Sequence, residues 1–166
     1  MLNSSKLIIF AAPSGAGKSS LIKKIIEISE EKLELSVSAT TRAPRKGEIH
    51  GKDYFFISDN EFNELKDKDA FIECANVHGN QYGTLKSFVH EKLEEGISVI
   101  LDIDVQGFAQ IRETIEDMVS IFIIPPSLDE LKNRLTLRGL DTNDAIEKRL
   151  LNALEELKHA ESFDYI

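Results

Sequence analysis

Runs of apolar residues alternate with amphipathic segments along most of this chain of 166 residues. Lys6–Ala12 is a short unbroken apolar run, which is typical of a central strand buried on both faces of a parallel sheet. The next segment, Ser19–Glu30, repeats apolar residues at helical spacing and predicts an amphipathic helix. Leu33–Ser38, Ile97–Leu101 and Val119–Ile124 predict three more strands. Alternating strands and helices favour right-handed crossovers, and therefore an α/β fold with a parallel sheet flanked by helices.

Two regions add to this alternation. The sequence between Thr40 and Thr84 is polar and glycine-containing, with short strand-like pieces, and predicts a small α+β insertion that projects from the sheet. After the last apolar run, Ser127–Glu130 matches a capping box at the start of a helix. A further amphipathic helix is predicted from Asp144 onward.

Composition narrows the class of protein. Hydrophobic residues make up 42% and charged residues 30%, which is typical of a globular domain rather than a disordered or membrane-spanning chain. Lys and Arg total 20 against 29 Asp and Glu, a formal net charge of −9, which argues against a protein that coats nucleic acid. A single cysteine excludes an internal disulfide. We expect a cytoplasmic protein, either monomer or homodimer, with neither nucleic acid nor membrane as a partner.

The clearest motif lies between the first predicted strand and the first predicted helix. Ala-Pro-Ser-Gly-Ala-Gly-Lys-Ser matches the P-loop pattern, with alanine where the strict form has glycine. Its glycines let backbone N–H groups converge on phosphate oxygens at the positive end of the following helix. The pattern predicts a nucleoside triphosphate site, with ATP as the expected ligand. Its residues are Ala12, Pro13, Ser14, Gly15, Ala16, Gly17, Lys18, Ser19 and Ser20.

A second motif, which is acidic, concerns the metal ion that such a site needs. Asp102 and Asp104 follow the buried run that ends at Leu101. In a P-loop fold, a carboxylate at the end of a neighbouring strand can join the Mg²⁺ shell together with the P-loop hydroxyl. We therefore predict Ser19 and Asp102 as Mg²⁺ ligands. Strand alternation would place Asp102 and Asp104 on the same side, facing the cleft.

Five further segments closely resemble the signature of the guanylate kinase family, in the family's order. They are Ser36–Glu48, Gly51–Phe56, Phe71–Glu73, Gly79–Thr84 and Asp102–Gly107. The resemblance implies ATP-dependent phosphorylation of GMP, and of dGMP, to GDP. It also implies a core at about residues 1–38, 85–125 and 145–166, a GMP-binding region at about 39–84, and a helical lid at about 126–144.

The resemblance also implies roles for individual residues around GMP. It places Arg42, Arg45, Tyr54 and Tyr82 on the GMP phosphate, where paired guanidinium groups would grip phosphate oxygens. It places Ser38 and Thr84 near the guanine edge, with Glu73 and Asp104 accepting hydrogen bonds from guanine N1–H and the exocyclic amine. Adenine lacks that pair of donors and would leave the carboxylates unpaired.

The catalytic groups implied by the resemblance are all cationic. They are Lys18, Arg42, Arg138 in the lid and Arg149 in the next helix. A loose transition state spreads charge over the equatorial phosphate oxygens, so such groups would act by electrostatic stabilisation. Arg134 is the weaker candidate, because an arginine on a helix is usually exposed to solvent or paired with an acid.

Alternatives stay open at this point. The site could serve another monophosphate, such as dGMP alone or IMP. The fold is also used by guanylate-kinase-like binding modules of scaffold proteins, which hold phosphopeptides, although Lys18 and Ser19 favour an enzyme. Family members continue beyond a segment like Ser162–Ile166 with a strand and a helix that help to form the adenine pocket, so we expect part of that pocket to lie outside this sequence.

Overall fold

The computed structural model describes residues 5–77, 79–137 and 143–166, and within them the chain forms two four-stranded sheets flanked by six α-helices. In chain order the elements are β1 (Leu7–Ala11), α1 (Lys18–Ile28), β2 (Leu33–Leu35), β3 (Ala39–Thr40), β4 (Phe55–Phe56), α2 (Asp59–Asp67), β5 (Phe71–Val77), β6 (Asn80–Leu85), α3 (Lys86–Glu94), β7 (Ser98–Asp102), α4 (Val105–Thr114), β8 (Met118–Phe122), α5 (Leu128–Leu137) and α6 (Asn143–Leu157), followed by a 3₁₀ turn, Ala160–Ser162.

The first sheet is parallel and has the strand order β2-β7-β1-β8. Its central strand β1 is buried on both faces, because the adjacent residues Ile9 and Phe10 point to opposite sides and are only 0% and 3% exposed. Ile9 packs in a cluster with Leu101 and Phe108, and Phe10 packs with residues of α1 on the other face. The predicted α/β fold with a central buried parallel sheet is confirmed.

One predicted strand is shorter than expected. Leu33–Ser38 was predicted as a single strand, but β2 ends at Leu35. Ser36 still donates its N–H to the carbonyl of Ile100 at 2.8 Å, and the chain then leaves the first sheet. It enters the second sheet at Ala39, so the second half of the predicted strand, Ser36–Ser38, connects the two sheets.

The second sheet is mixed and has the strand order β4-β3-β6-β5. The short strands β3 and β4 are parallel, and the longer strands β5 and β6 form an antiparallel pair. Helix α2 covers this sheet through Phe62, which stacks on Phe71 of β5 with 4.5 Å between ring centroids. Its start is fixed by a complete capping box between Ser58 and Glu61.

The end of the chain runs alongside the first sheet. Tyr165 forms a parallel bridge with Ile121 of β8. Beside it, the Asp164 carboxylate accepts hydrogen bonds from the N–H and the hydroxyl of Ser120 at 2.8 and 2.7 Å. These bonds lower the pKa of Asp164. The outer edge of β8 is therefore partly paired by the residues that follow α6.

Candidate active site

The loop between β1 and α1 folds as a tight turn around an open centre. Gly15 and Gly17 have φ angles of 92° and 101°, in the left-handed region that glycine adopts without strain. The N–H of Ala16 donates to the carbonyl of Pro13 at 3.0 Å and closes the turn. Within the described part of the chain, no side chain caps the start of α1 at Gly17. The first N–H groups of α1 therefore face the loop, as an anion site requires.

Lys18, Ser19 and Asp102 meet where β7 ends beside this loop. The Lys18 ammonium lies 2.6 Å from Asp102 Oδ1 and donates to the carbonyl of Ile103 at 2.6 Å. The Ser19 hydroxyl donates to the other carboxylate oxygen of Asp102 at 3.2 Å. An ammonium carries three N–H donors, so Lys18 keeps one for a further acceptor. Asp102 and Ser19, which the sequence predicts as Mg²⁺ ligands, thus lie together beside the P-loop.

Helices α5 and α6 also contact the loop. Arg134 of α5 donates to the carbonyl of Ala16 at 3.0 Å while it pairs with Glu130 at 2.7 Å. Glu156 of α6 is half-buried, and burial raises its pKa, opposed by a hydrogen bond from the Ser14 N–H and by the charge of Lys18. Both helices therefore place charged side chains against the loop.

A cavity of about 790 Å³ opens on one side of the loop. Its lining joins Gly15–Gly17, Ser20, Leu21 and Lys24 of the loop and α1 to residues of the β8–α5 connection and of α5, namely Ile123, Ile124, Pro126, Arg134 and Leu137. Apolar side chains on both sides with polar groups at the rim are typical of a small-molecule site. Its position beside the anion-binding loop fits the nucleoside part of a nucleotide.

Arg42 is the centre of a second cluster, on the other sheet. Its guanidinium pairs with Glu48 at 2.9 Å and is largely shielded, with 14% of the side chain exposed. It lies over the ring of Tyr54 at 5.4 Å and over that of Phe56 at 5.8 Å, in cation–π geometry. The Tyr82 ring stands edge-on to Tyr54 at 6.1 Å. Hydrogen bonds to Glu48 and Tyr82 raise the pKa of Arg42, so it remains a fixed cation.

Glu48 holds the loop that carries both predicted phosphate-binding arginines. One carboxylate oxygen accepts from Arg42, and the other accepts from the backbone N–H of Arg45 at 2.6 Å. These bonds lower the pKa of Glu48. The Arg45 side chain is exposed, so the two arginines differ: Arg42 is seated on an aromatic surface, and Arg45 extends from the loop.

Glu73 and Thr84 face each other across β5 and β6 in the interior of the second sheet. The Thr84 hydroxyl donates to Glu73 Oε1 at 2.7 Å. Glu73 is 6% exposed, and its pKa is raised by burial and by the nearby charge of Asp104, against the effect of the Thr84 bond. Thr84 itself is 0% exposed, and its hydroxyl proton is donated to Glu73. Thr84 therefore orients Glu73, the predicted guanine acceptor beside it.

Asp104 is placed differently from what strand alternation predicted. The strand β7 ends at Asp102, and Asp104 is the N-cap of α4, where its Oδ1 accepts from the N–H of Gly107 at 2.8 Å. Alternation therefore does not set its direction. The start of α4 sets the direction of the Asp104 side chain instead. It brings the Asp104 carboxylate close enough to Glu73 to raise the pKa of Glu73. The two predicted guanine acceptors do lie together.

The remaining predicted site residues divide into three groups. Ser38 precedes β3, where its carbonyl accepts from the Phe55 N–H at 2.9 Å, and its side chain is half-buried. Arg149 lies on α6 and is half-buried. It precedes Glu156 by seven residues, so it lies on the same helix face, roughly 10 Å along the axis from a side chain that contacts the loop. Arg138 lies outside the described residues, as does part of the predicted lid.

Sequence reasoning assigned no role to Glu48 or Glu156, and it named Arg134 only as a weaker candidate. Each acts through a partner that the pattern could not identify, and the Arg134–Ala16 contact joins residues 118 positions apart. The described residues contain no group of three or more His, Cys, Asp or Glu side chains that could hold a metal by themselves. No helix in the described ranges has the length and apolar character needed to cross a membrane.

Comparison with known proteins identifies the family. The family model described as guanylate kinase matches residues 4–166. A guanylate kinase of Legionella pneumophila is 51% identical over 164 residues, which cover 99% of this chain and 78% of that protein. One from Caldanaerobacter subterraneus is 48% identical over 160 residues, covering 96% and 77%. The crystal structure of guanylate kinase from Anaplasma phagocytophilum matches with a TM-score of 0.75 and 36% identity, over 97% of this chain and 74% of that one. The chain belongs to the guanylate kinase family.

Proposed function

We propose that this protein phosphorylates GMP to GDP with ATP as the donor, in the crevice between the two sheets. The observation that carries the proposal is the pair of cationic clusters, Lys18 with Asp102 at the P-loop and Arg42 over the Tyr54 ring on the other sheet. The pKa of Tyr54 is raised by burial, by Tyr82 and by Asp102. Tyr54 belongs to the Arg42 cluster, whereas Asp102 pairs with Lys18 of the loop. Two phosphate-binding clusters that interact in this way can bring two nucleotides together at their phosphate ends.

On the donor side, the P-loop holds the ATP phosphates. The N–H groups at the start of α1 and the free donor of Lys18 face the β- and γ-phosphates. The adenosine part lies in the cavity beside Arg134 and Lys24. Lys18 makes its pair with Asp102 at only partial exposure, 17% and 28% of the two side chains, where a charge acts more strongly than in bulk water.

The donor set beside Lys18 fits Mg²⁺. This ion is usually held by one or two carboxylates together with phosphate oxygens and water, so a complete cage of protein ligands is not required. Asp102 and Ser19 supply adjacent hard oxygen ligands at the loop. When bound, Mg²⁺ supplies neutralisation of the charge on the phosphate oxygens. In this proposal Ser19 and Asp102 would hold it, and Lys18 would retain its contact with the carbonyl of Ile103.

On the acceptor side, residues at about 39–84 hold GMP. Arg42, Arg45, Tyr54 and Tyr82 bind its phosphate, and the aromatic seat of Arg42 keeps that guanidinium in one place. Glu73 and Asp104 accept the guanine N1–H and exocyclic amine. Ser38 adds a hydroxyl at the start of β3, and Thr84 acts on guanine through Glu73. The same acceptors serve dGMP, since they address the base.

The chemical step needs charge stabilisation and alignment. An oxygen of the GMP phosphate forms a bond to the γ-phosphorus of ATP, and the bond from that phosphorus to the ADP oxygen breaks. The attacking oxygen is already anionic, so no general base is required. Lys18, Arg42, Arg149 and Arg138 stabilise the transferring group. Closure of a lid at about 126–144 over the cavity would exclude the water that competes as acceptor.

Replacement of Lys18 by alanine tests the proposal. In a coupled assay of ADP formation with ATP and GMP, we expect kcat to fall by about three orders of magnitude, the size of effect seen when a transition-state charge partner is lost. GMP affinity, measured by calorimetry, should be retained, because Lys18 lies in the other cluster. Lys23→Ala, at an exposed position on the same helix, is the matched control. Unchanged turnover in Lys18→Ala would contradict the proposal, and so would a preference of the wild type for AMP or UMP over GMP.

A further inference from the structure

Helix α4 meets the Glu73 carboxylate at a residue with no side chain. Gly107 is buried, and a Cβ atom built on it would lie 2.9 Å from Glu73 Oε2 and 3.4 Å from Glu73 Cδ. A separation below 3.0 Å is shorter than any ordinary carbon contact, so one of the two groups would have to shift. Glu73 Oε2 therefore occupies space that exists because residue 107 is glycine.

Both predicted guanine acceptors converge on this residue. The Gly107 N–H donates to Asp104 Oδ1 at 2.8 Å. The other carboxylate, that of Glu73, places its Oε2 where a Cβ of residue 107 would be, while its Oε1 accepts from the Thr84 hydroxyl. Thr84 thus holds one oxygen of Glu73 by a hydrogen bond, and the absence of a side chain at 107 leaves room for the other.

One turn further along α4, Gln110 fixes the strand that carries Glu73. Its side-chain Oε1 accepts from the N–H of Cys74 at 3.1 Å, and its Nε2 donates to the carbonyl of Cys74 at 2.9 Å. The amide thus pairs with the outer edge of β5 as a neighbouring strand would. Cys74 directly follows Glu73, so this pair sets the distance between the strand and the helix at the acceptor.

We infer that Gly107 and Gln110 are positioning residues for guanine selection, which hold the Glu73 carboxylate in register with Asp104. The inference rests on the proposed function, in which Glu73 reads the base. The contact made by Gly107 is with the end of a side chain, so the fold can accommodate a methyl group by moving Glu73. Alanine is also the better helix former. A side chain at 107 therefore disturbs recognition of guanine more than it disturbs the fold.

The experiment compares the wild type with Gly107→Ala, Gln110→Ala, Glu73→Gln and the control Ala109→Ser. The control adds one heavy atom to an exposed position on the opposite face of α4. For each protein, kcat and KM are measured with GMP, with IMP (which lacks the exocyclic amine) and with ATP, and Tm by calorimetry. For Gly107→Ala we expect KM for GMP to rise about tenfold, as for loss of a well-aligned hydrogen bond to a charged group. We expect the preference for GMP over IMP to fall with it. In this variant, neither the KM for ATP nor the Tm should change.

Gln110→Ala should shift the same quantities in the same direction by a smaller factor, roughly threefold, because the strand edge can take water in place of the amide.

If both α4 variants keep the wild-type KM for GMP and the wild-type GMP-to-IMP preference while Glu73→Gln loses them, the inference is overturned and the proposed function stands. If Glu73→Gln keeps that preference, the assignment of Glu73 as the guanine reader fails. A fall in kcat that is equal for GMP and IMP, with KM unchanged, would show a purely structural role for α4 and would also overturn the inference.

Discussion

The donor half and the acceptor half of the site obtain their polar groups in different ways. In the P-loop, backbone N–H groups at the start of α1 face the proposed phosphate site, and two glycines with positive φ set the curvature. In and beside the second sheet, polar side chains are held by one another, as in the Arg42–Glu48 ion pair and the Thr84–Glu73 hydrogen bond. The first half therefore depends on backbone conformation, whereas the second depends on pairs of side chains. Substitutions should reveal this difference.

Among substitutions that compare the two halves, the largest effect is expected when the backbone of the P-loop is strained. In Gly15→Ala the residue must keep a φ of 92°, and its Cβ would lie 2.9 Å from Leu135 Cδ2 of α5. We expect kcat/KM for ATP to fall about 100-fold, because an ångström-scale misplacement of reacting groups can cost that much. Steady-state kinetics with ATP varied measures this.

The control for Gly15→Ala is Gly96→Ala. Gly96 also has a positive φ, 73°, but it lies in the turn between α3 and β7. It should lower Tm and leave KM for ATP as in the wild type. Equal losses of ATP kinetics in both variants would mean that strain acts through overall stability, and not through the loop.

Removal of a partner in the acceptor half should have the next largest effect. In Glu48→Ala, Arg42 loses its ion pair and the Arg45 N–H loses its acceptor. We expect KM for GMP to rise about tenfold, since the loop must then be ordered at the expense of binding energy. The KM of Glu48→Gln for GMP should lie between those of the wild type and Glu48→Ala. The control is Glu113→Ala, which removes an exposed acid on α4. The KM for ATP should be the same in these variants as in the wild type. If Glu48→Ala instead lowered the KM for GMP, Glu48 would be competing with phosphate for Arg42.

The same difference explains what the sequence could predict. The P-loop and the first sheet are encoded by contiguous residues, so the motif at Ala12–Ser19 and the apolar runs sufficed. Thr84 is predicted near the guanine edge, but a linear motif shows residue type and not burial, so its hydrogen bond to Glu73 could not be predicted. Glu156 had no local signal and Arg134 was only a weaker candidate, because each depends on a contact with the loop from a helix more than 100 positions away.

Glu73→Gln should have opposite effects on guanine binding and on the stability of the fold. Burial raises the pKa of Glu73 in the folded protein above its ordinary value, so the ionised carboxylate costs folding free energy at neutral pH. Glutamine can still accept from Thr84 and carries no charge. We expect Tm to increase at pH 7, by about 2–4 °C for each kcal/mol recovered. The gain should shrink as pH falls below the folded pKa and vanish once the unfolded carboxyl is protonated as well. A Tm difference that does not vary with pH would contradict this account.

The smallest effect should come from the edge of the first sheet, which neither cluster uses. In Ser120→Ala, Asp164 loses the hydroxyl that donates at 2.7 Å and that accepts its own N–H at 3.0 Å, while the backbone bond from residue 120 remains. We expect a loss of about 1 kcal/mol of unfolding free energy, measured by denaturant titration, since Ser120 is buried but Asp164 is exposed and screened by water. The pKa of Asp164 is lowered by these bonds, so the loss should be present above the ordinary pKa of aspartate and should diminish as pH falls through the folded pKa. Ser87→Ala, at an exposed position on α3, is the control and should not change stability measurably. KM for both nucleotides should remain as in the wild type; a change in either would mean that the β8 edge is coupled to the crevice, and that the dependence on side-chain pairs extends beyond the second sheet.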